Sequence, residues 1–243
     1  MSYRLMLNIA GFVIEIRRRN SLLEQSCADY VYTGDRSPDI VVDFDGQYLE
    51  KEIESERKEG AFLSIEQSEH LAIYRVICTK MLEKDCFLMH ASVIADGESC
   101  YAFTAPSGTG KSTHARLWRE SFPHTFMVND DKPLIKIQDG EVFACGTPWC
   151  GKHNLGSNVI LPLRGIGIIE RSKELFVRPV DAKNELTMIL NQIYRPKDPA
   201  LLFKTLDLLN IMLEKVPLYR IGCDISSDSA IMSYNTLTKE GKN

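Results

Sequence analysis

No apolar run in this sequence approaches the ~18–20 residues that cross a bilayer, so a membrane-spanning protein is not expected. Cysteine pairing signals are missing as well. The seven cysteines (Cys27, Cys78, Cys86, Cys100, Cys145, Cys150 and Cys223) are odd in number, scattered, and contain no Cys-x-x-Cys pair. That pattern excludes a disulfide framework and a structural zinc site, and points to reduced thiols in a cytoplasm. Charge of one sign is absent too. Twenty-nine Lys and Arg against 33 Asp and Glu leave a net charge of −4, which provides no global basic field for nucleic acid. No internal repeat or low-complexity tract is visible. The short apolar stretch near the start is followed by Arg17-Arg18-Arg19, not by a small-residue cleavage site, so no signal peptide is expected.

What remains is the composition of an ordinary globular protein. Its 243 residues are 44% hydrophobic, 26% charged and 9% aromatic, enough for one large or two small domains. Residues 5–9 and 12–16 read as strands flanking Ala10-Gly11, a hairpin. Residues 39–44 read as a third strand ending at the Asp45-Gly46 turn. The charge-dense stretch 50–59 reads as a solvated face. A helix is predicted over 64–84, with Ser64 as N-cap and Gln67 three positions on. Strands are predicted over 87–95, 99–104, 125–128, 165–170 and 218–223. Helices are predicted over about 185–194, from Asp198-Pro199 with Leu202, Leu206, Leu209 and Leu213 on one face, and from about Ser227. Strands alternating with helices after an N-terminal run of strands predict a mixed α/β (α+β) fold. The boundary is placed between a β-rich module, 1–62, and a core, 63–243.

The chemistry concentrates in Ala105-Pro106-Ser107-Gly108-Thr109-Gly110-Lys111-Ser112. This is the phosphate-loop pattern with Ala105 in place of the first glycine. Such a loop turns backbone N–H groups toward phosphate oxygens, and the helix that follows, with Thr113 in its first turn, adds its own amides and dipole. Lys111 supplies a compact charge for the β- and γ-phosphates, and Ser112 a hydroxyl for Mg²⁺. Asp130 and Asp131 lie 19 and 20 residues beyond the lysine. A strand–loop–helix–strand unit of this length predicts their return beside the loop. One carboxylate can then bind Mg²⁺ and the other accept a proton from an attacking hydroxyl.

With these motifs the sequence resembles the HPr kinase/phosphorylase-like group, phosphate-loop kinases whose core is related to phosphoenolpyruvate carboxykinase. The matching residues are Met89-His90-Ala91-Ser92, the loop, Val128-Asn129-Asp130-Asp131, and Arg164-Gly165-Ile166-Gly167-Ile168-Ile169. The segment from Gly146 through Leu163 resembles the smaller, single-lobed members. The resemblance implies that the core has the fold of the HPr kinase C-terminal domain. It also implies ATP-dependent phosphorylation of a serine-type hydroxyl on a protein, peptide or small molecule. Asp130 would be the general base, His90 a support for the phosphoryl site, and Arg164 the signature arginine. The group often forms homo-oligomers. Where HPr kinase has an acidic metal ligand this chain has Pro162, which shifts the metal to Ser112 and Asp131. That departure also favours an alternative, an ATP-binding regulator without phosphoryl transfer. A GTPase switch is disfavoured because no Asn-Lys-x-Asp motif is present. Arg116 and Arg119 read as helix-surface charge, with phosphate contact by Arg116 as the alternative. Lys132 beside the Asp pair reads equally as an offset to their charge or as an exposed lysine. Cys150, Lys152 and His153 read as a polar cluster suited to substrate recognition, and Arg178 as a second phosphate-contact candidate.

Overall fold

A computed structural model describes residues 4–17, 21–43, 50, 53–54 and 64–240. Most of the charge-dense stretch 50–59, and Phe44 at the end of the third predicted strand, lie outside the described residues. The fold is mixed α/β. A three-stranded sheet comes first: β1 (Leu5–Ile9) and β2 (Phe12–Ile16) form the expected hairpin, and β3 (Ile40–Val42) runs parallel to β2. A short helix, α1 (Ser21–Ser26), lies between them in sequence. Helix α2 (Ile65–Met81) starts at a capping box, in which the Ser64 hydroxyl accepts from the Gln67 N–H and the Gln67 side chain accepts from the Ser64 N–H. Two otherwise orphaned amide donors are thereby satisfied.

The inner face of α2 does not belong to the second half alone. Ile73, Ile77 and Met81 share one hydrophobic cluster with Leu7, Ile14 and Val42 of the first sheet and with Leu88, Leu134 and Trp149. The first sheet and α2 therefore share one apolar cluster.

The main sheet is built from β4 (Cys86–Leu88), β5 (Ser92–Asp96), β6 (Ser99–Thr104), β7 (Phe126–Asn129), β8 (Leu134–Gln138), β9 (Glu141–Cys145), β10 (Ile160–Arg171), β11 (Phe176–Pro179) and β12 (Leu218–Cys223), in the order β4-β8-β9-β10-β6-β5-β7. The long strand β10 joins its two parts. Its start pairs antiparallel with β9, its middle runs parallel to β6, and its end runs parallel to β12, which carries β11 on its far edge. Helices α3 (Lys111–Ser121), α4 (Ala182–Leu190), α5 (Pro199–Lys215) and α6 (Ser227–Glu240) complete the chain.

The structure departs from the sequence reading in several places. Residues 87–95 are not one strand. The strand is interrupted at His90, whose N–H donates to Gln192 O in an isolated bridge between Met89 and Ile193 and whose carbonyl accepts from the Thr104 hydroxyl. Strands β8, β9 and β11 had no predicted counterpart. The buried stripe of α5 is Thr205, Leu208, Leu209 and Met212, which leaves Leu206 exposed. Its start is as predicted, with the Asp198 side chain capping the helix and Pro199 in the first turn. Finally, β7 returns parallel to β6 but not beside it, because β5 lies between and pairs antiparallel with both. Among the described residues no helix is long and apolar enough to cross a membrane.

Candidate functional site

The topology collects chain ends at one edge of the main sheet. Strand β6 ends there in the phosphate loop, β7 ends there in the aspartate pair, and β10 ends there at Arg171. His90 precedes β5 at the same edge. Such an edge, at the carboxyl ends of parallel strands, is where open α/β sheets place ligands.

The loop has the backbone its sequence requires. Gly108 and Gly110 have φ of 77° and 132°, values that side chains with a Cβ rarely adopt. Gly110 is also the N-cap of α3 and supplies no capping side chain, so the first-turn amides of the helix stay open to an anion. Arg171 holds the loop from behind, donating from Nε to Thr109 O at 3.2 Å and from Nη2 to Gly108 O at 2.6 Å. Nζ of Lys111 donates to Ala105 O at 2.9 Å. Burial pushes its ammonium pKa down, opposed by the negative charge of Asp131. A buried ammonium that holds only a carbonyl is a ready partner for phosphate.

The aspartates are aimed by Asn129, which is fully buried. Its Oδ1 accepts from the N–H groups of both Asp131 and Lys132, and its Nδ2 donates to Thr147. This Asx-type turn bends the chain just after β7. Asp130 is 5% exposed, and one of its oxygens accepts from the Gly151 N–H, leaving Oδ2 without a protein donor among the described residues. Asp131 sits between two nitrogen partners, with His90 Nε2 3.1 Å from Oδ1 and Lys132 Nζ 3.0 Å from Oδ2. Burial alone would raise its pKa. The hydrogen bonds and charge of His90 and Lys132 outweigh that and hold it at about 2. The other nitrogen of His90 lies 3.1 Å from Gln192 Oε1. Of the two readings of Lys132, the structure shows the one in which it pairs with an aspartate, Asp131.

These groups face one cavity of about 570 Å³, lined by His90, Lys111, Ser112, Asp130, Asp131 and the 150–153 loop. A second cavity, about 500 Å³, flanks the other side of the loop between Thr109, Thr113, Arg171 and Asp224. Behind α3, His114 is buried, its Nε2 2.8 Å from the Ser233 hydroxyl, which also accepts from Trp118 Nε1 at 2.8 Å. Burial holds the His114 pKa down at about 4, so this group keeps the helix in place as a neutral ring.

Ala105, Pro106, Ser107, Gly108, Thr109, Gly110, Lys111, Ser112 and Thr113 are contiguous around the loop, and His90, Asp130 and Asp131 join them. Arg164 does not. It pairs with Glu141, and lies four residues before Ile168, the β10 residue level with the end of β6. At ~3.3 Å per residue that is about 13 Å from the loop edge. Pro162 is farther still, paired with Phe143. Exposed Arg178 lies on the outer strand β11, its guanidinium 5.2 Å from the Phe176 ring centroid. The residue on β10 that does reach the loop is Arg171, together with Gly151 and Gln192 among the residues the sequence reading missed. Arg171 stands next to the strand run 165–170, and that adjacency was its only signal. Among the described residues no group of three or more His, Cys, Asp or Glu is placed to hold a metal ion.

No protein-family model and no curated protein matches the chain. Among solved structures, the HPr(Ser) kinase/phosphatase from Coxiella burnetii resembles it slightly, with a TM-score of 0.36 and 10% identity over 63% of this chain and 98% of that one.

Proposed function

We propose that the chain is an ATP-dependent kinase that transfers the γ-phosphoryl group to a serine-type hydroxyl. One observation carries this reading: a phosphate loop with its lysine and a nearly buried carboxylate with a free oxygen line the same cavity of about 570 Å³. In this reading the loop amides and Lys111 bind the phosphates, and the nucleoside extends toward the cavity of about 500 Å³ beside Thr109. The acceptor hydroxyl lies against Asp130. As its oxygen bonds the γ-phosphorus, its proton passes to Asp130 Oδ2, and the bond from the γ-phosphorus to the leaving oxygen breaks to release ADP. Catalysis is then positioning plus charge stabilisation.

The donor set fits Mg²⁺, a hard cation commonly held by one or two carboxylates with substrate phosphates. Ser112 and Asp131 are the residues that would hold it, and it would supply charge neutralisation at the phosphates. His90 orients Asp131 from the opposite side. Arg164 has no part in this assignment, and Arg171 takes the role of bracing the loop. The alternative, a regulator that binds ATP without transfer, drew on Pro162. That residue lies about 20 Å of strand from the loop edge, so it does not bear on the site.

Transfer from γ-labelled ATP tests the proposal. Lys111→Ala is expected to weaken ATP binding. Asp130→Asn is expected to keep ATP binding and lower transfer by about 10²–10⁴-fold, the size of a general-base contribution. Full transfer by Asp130→Asn would overturn the base assignment. Tight ATP binding with neither transfer nor slow hydrolysis would favour the regulator.

A further inference from the structure

Another cavity, of about 390 Å³, adjoins the one that faces the loop and the aspartates. Its walls are one face of α3 (Ser112, Thr113, Arg116, Arg119), Met127 of β7, and His153 and Leu155 of the loop after β9. Ser112, Thr113, Asp130 and His153 also line the reaction cavity, so the two spaces meet at the proposed base. The polar character changes across this small space. Its polar lining is Asp130, Arg116 and Arg119 of the helix, and His153.

Arginine at 116 and 119 has an ordinary explanation, surface charge on a helix. Arg116 fits it, since it pairs with Glu120 four residues on, with both groups half exposed. Arg119 does not. Its side chain is partly buried, and its enclosed Nε has no hydrogen-bond partner among the described residues. A buried donor left unmade costs about 1–3 kcal/mol, more when charged, and such a group calls for a reason. Ser112, Arg116 and Arg119 recur at helical spacing on one face of α3 and line this cavity together. The rise from Ser112 to Arg116 and Arg119 is about 6 and 10 Å. An anion held there is therefore only a few bonds from a hydroxyl resting on Asp130.

We propose that this cavity is the acceptor subsite and that the acceptor is a small hydroxyl compound bearing an anionic group, carboxylate or phosphate, bound by Arg119 with Arg116 beside it. The inference rests on the kinase reading above and narrows its acceptor. The anion anchors one end of the molecule, and the hydroxyl at the other end loses its proton to Asp130 as its oxygen takes the γ-phosphoryl group and ADP leaves. A cavity of about 390 Å³ suits a molecule of a few carbons. Arginine suits this task because its planar fork meets carboxylate and phosphate with two parallel donors.

The test uses the full chain with ATP and Mg²⁺ and matched acceptors: D-glycerate and glycerol 3-phosphate, each against glycerol. ADP release is expected to respond to at least one anionic member at least ten-fold more strongly than to its uncharged counterpart. The two glycerol derivatives separate carboxylate from phosphate. Arg119→Gln is expected to raise KM for that anionic acceptor at least ten-fold, with the uncharged counterpart unaffected and Arg119→Lys recovering part of the loss. Equal use of charged and uncharged members, an unchanged KM in Arg119→Gln, or transfer only to a protein substrate would each overturn the proposal. Calorimetric titration of D-glycerate and glycerol 3-phosphate without nucleotide reads the subsite independently. Affinity lost in Arg119→Gln supports it even if ATP does not bind, in which case the kinase reading alone falls. Absence of anion binding in a protein that binds and hydrolyses ATP removes the subsite and leaves the kinase reading intact.

Discussion

Replacing Asp131 with asparagine keeps the shape of the side chain and removes its charge from between His90 and Lys132. The carboxyl is held at about 2 against an ordinary value of 3.8, a gap of just under two units. At ~1.4 kcal/mol per unit, the ionised pair contributes roughly 2 kcal/mol to stability. Because the folded-state pKa is the lower one, this contribution is fully present above about pH 4 and fades as pH falls toward 2. Urea unfolding of both proteins at pH 7, 5, 4 and 3 is therefore expected to give a difference of about 2 kcal/mol at the first two values and about 1 kcal/mol at pH 3. His114, held neutral by burial at about 4, also lowers stability as pH falls from 6.5 toward 4. That effect is common to both proteins and cancels in the difference. A gap independent of pH, or no gap at pH 7, would mean that the carboxylate does not hold His90 and Lys132 as described.

Three further outcomes follow from the packing. Ser233→Val leaves His114 Nε2 and Trp118 Nε1 without their shared hydroxyl; urea unfolding at pH 7 should show a loss of about 2–4 kcal/mol. Gly146→Ala would place a Cβ 1.8 Å from the Ser157 carbonyl, so the strap over Asn129 must shift. Its melting temperature should fall, with a loss of about 1–3 kcal/mol, whereas an unchanged melting curve would contradict that close approach. Cys150 is partly exposed, but burial and the neighbouring aspartates push its thiol up to about 12 while the other six cysteines are buried. A thiol reagent at pH 8 is expected to label the native protein slowly, and rapid labelling of one site would refute this.

The phosphate loop, the capping box at Ser64 and the Asp198-Pro199 start were readable in sequence because each is a local demand on a few adjacent residues. The mixed α/β class followed from the alternation of elements. Strands β8 and β9 were missed although Asp139-Gly140, a strong hairpin pair, lies between them. The failure on α5 has another cause. Leucines at 202, 206, 209 and 213 form a plausible stripe, but the helix turns Thr205, Leu208 and Met212 inward, because the shape of the sheet beneath decides which face is covered. Arg171 was beyond reach for a similar reason. Its partners are two carbonyls some sixty residues away, and only the parallel pairing of β10 with β6 brings them together. Arg164 was assigned from motif likeness, and strand register carries it away from the loop.

Trp149 rests on Tyr74 of α2, with ring centroids 4.8 Å apart, and two residues later the backbone N–H of Gly151 holds Asp130. The first sheet and α2 thus form the footing on which Asp130 is mounted. Shaving the chain back to residues 64–240 would strip the oily underside from α2, wet Ile73 and Ile77, and loosen the helix whose Tyr74 supports Trp149.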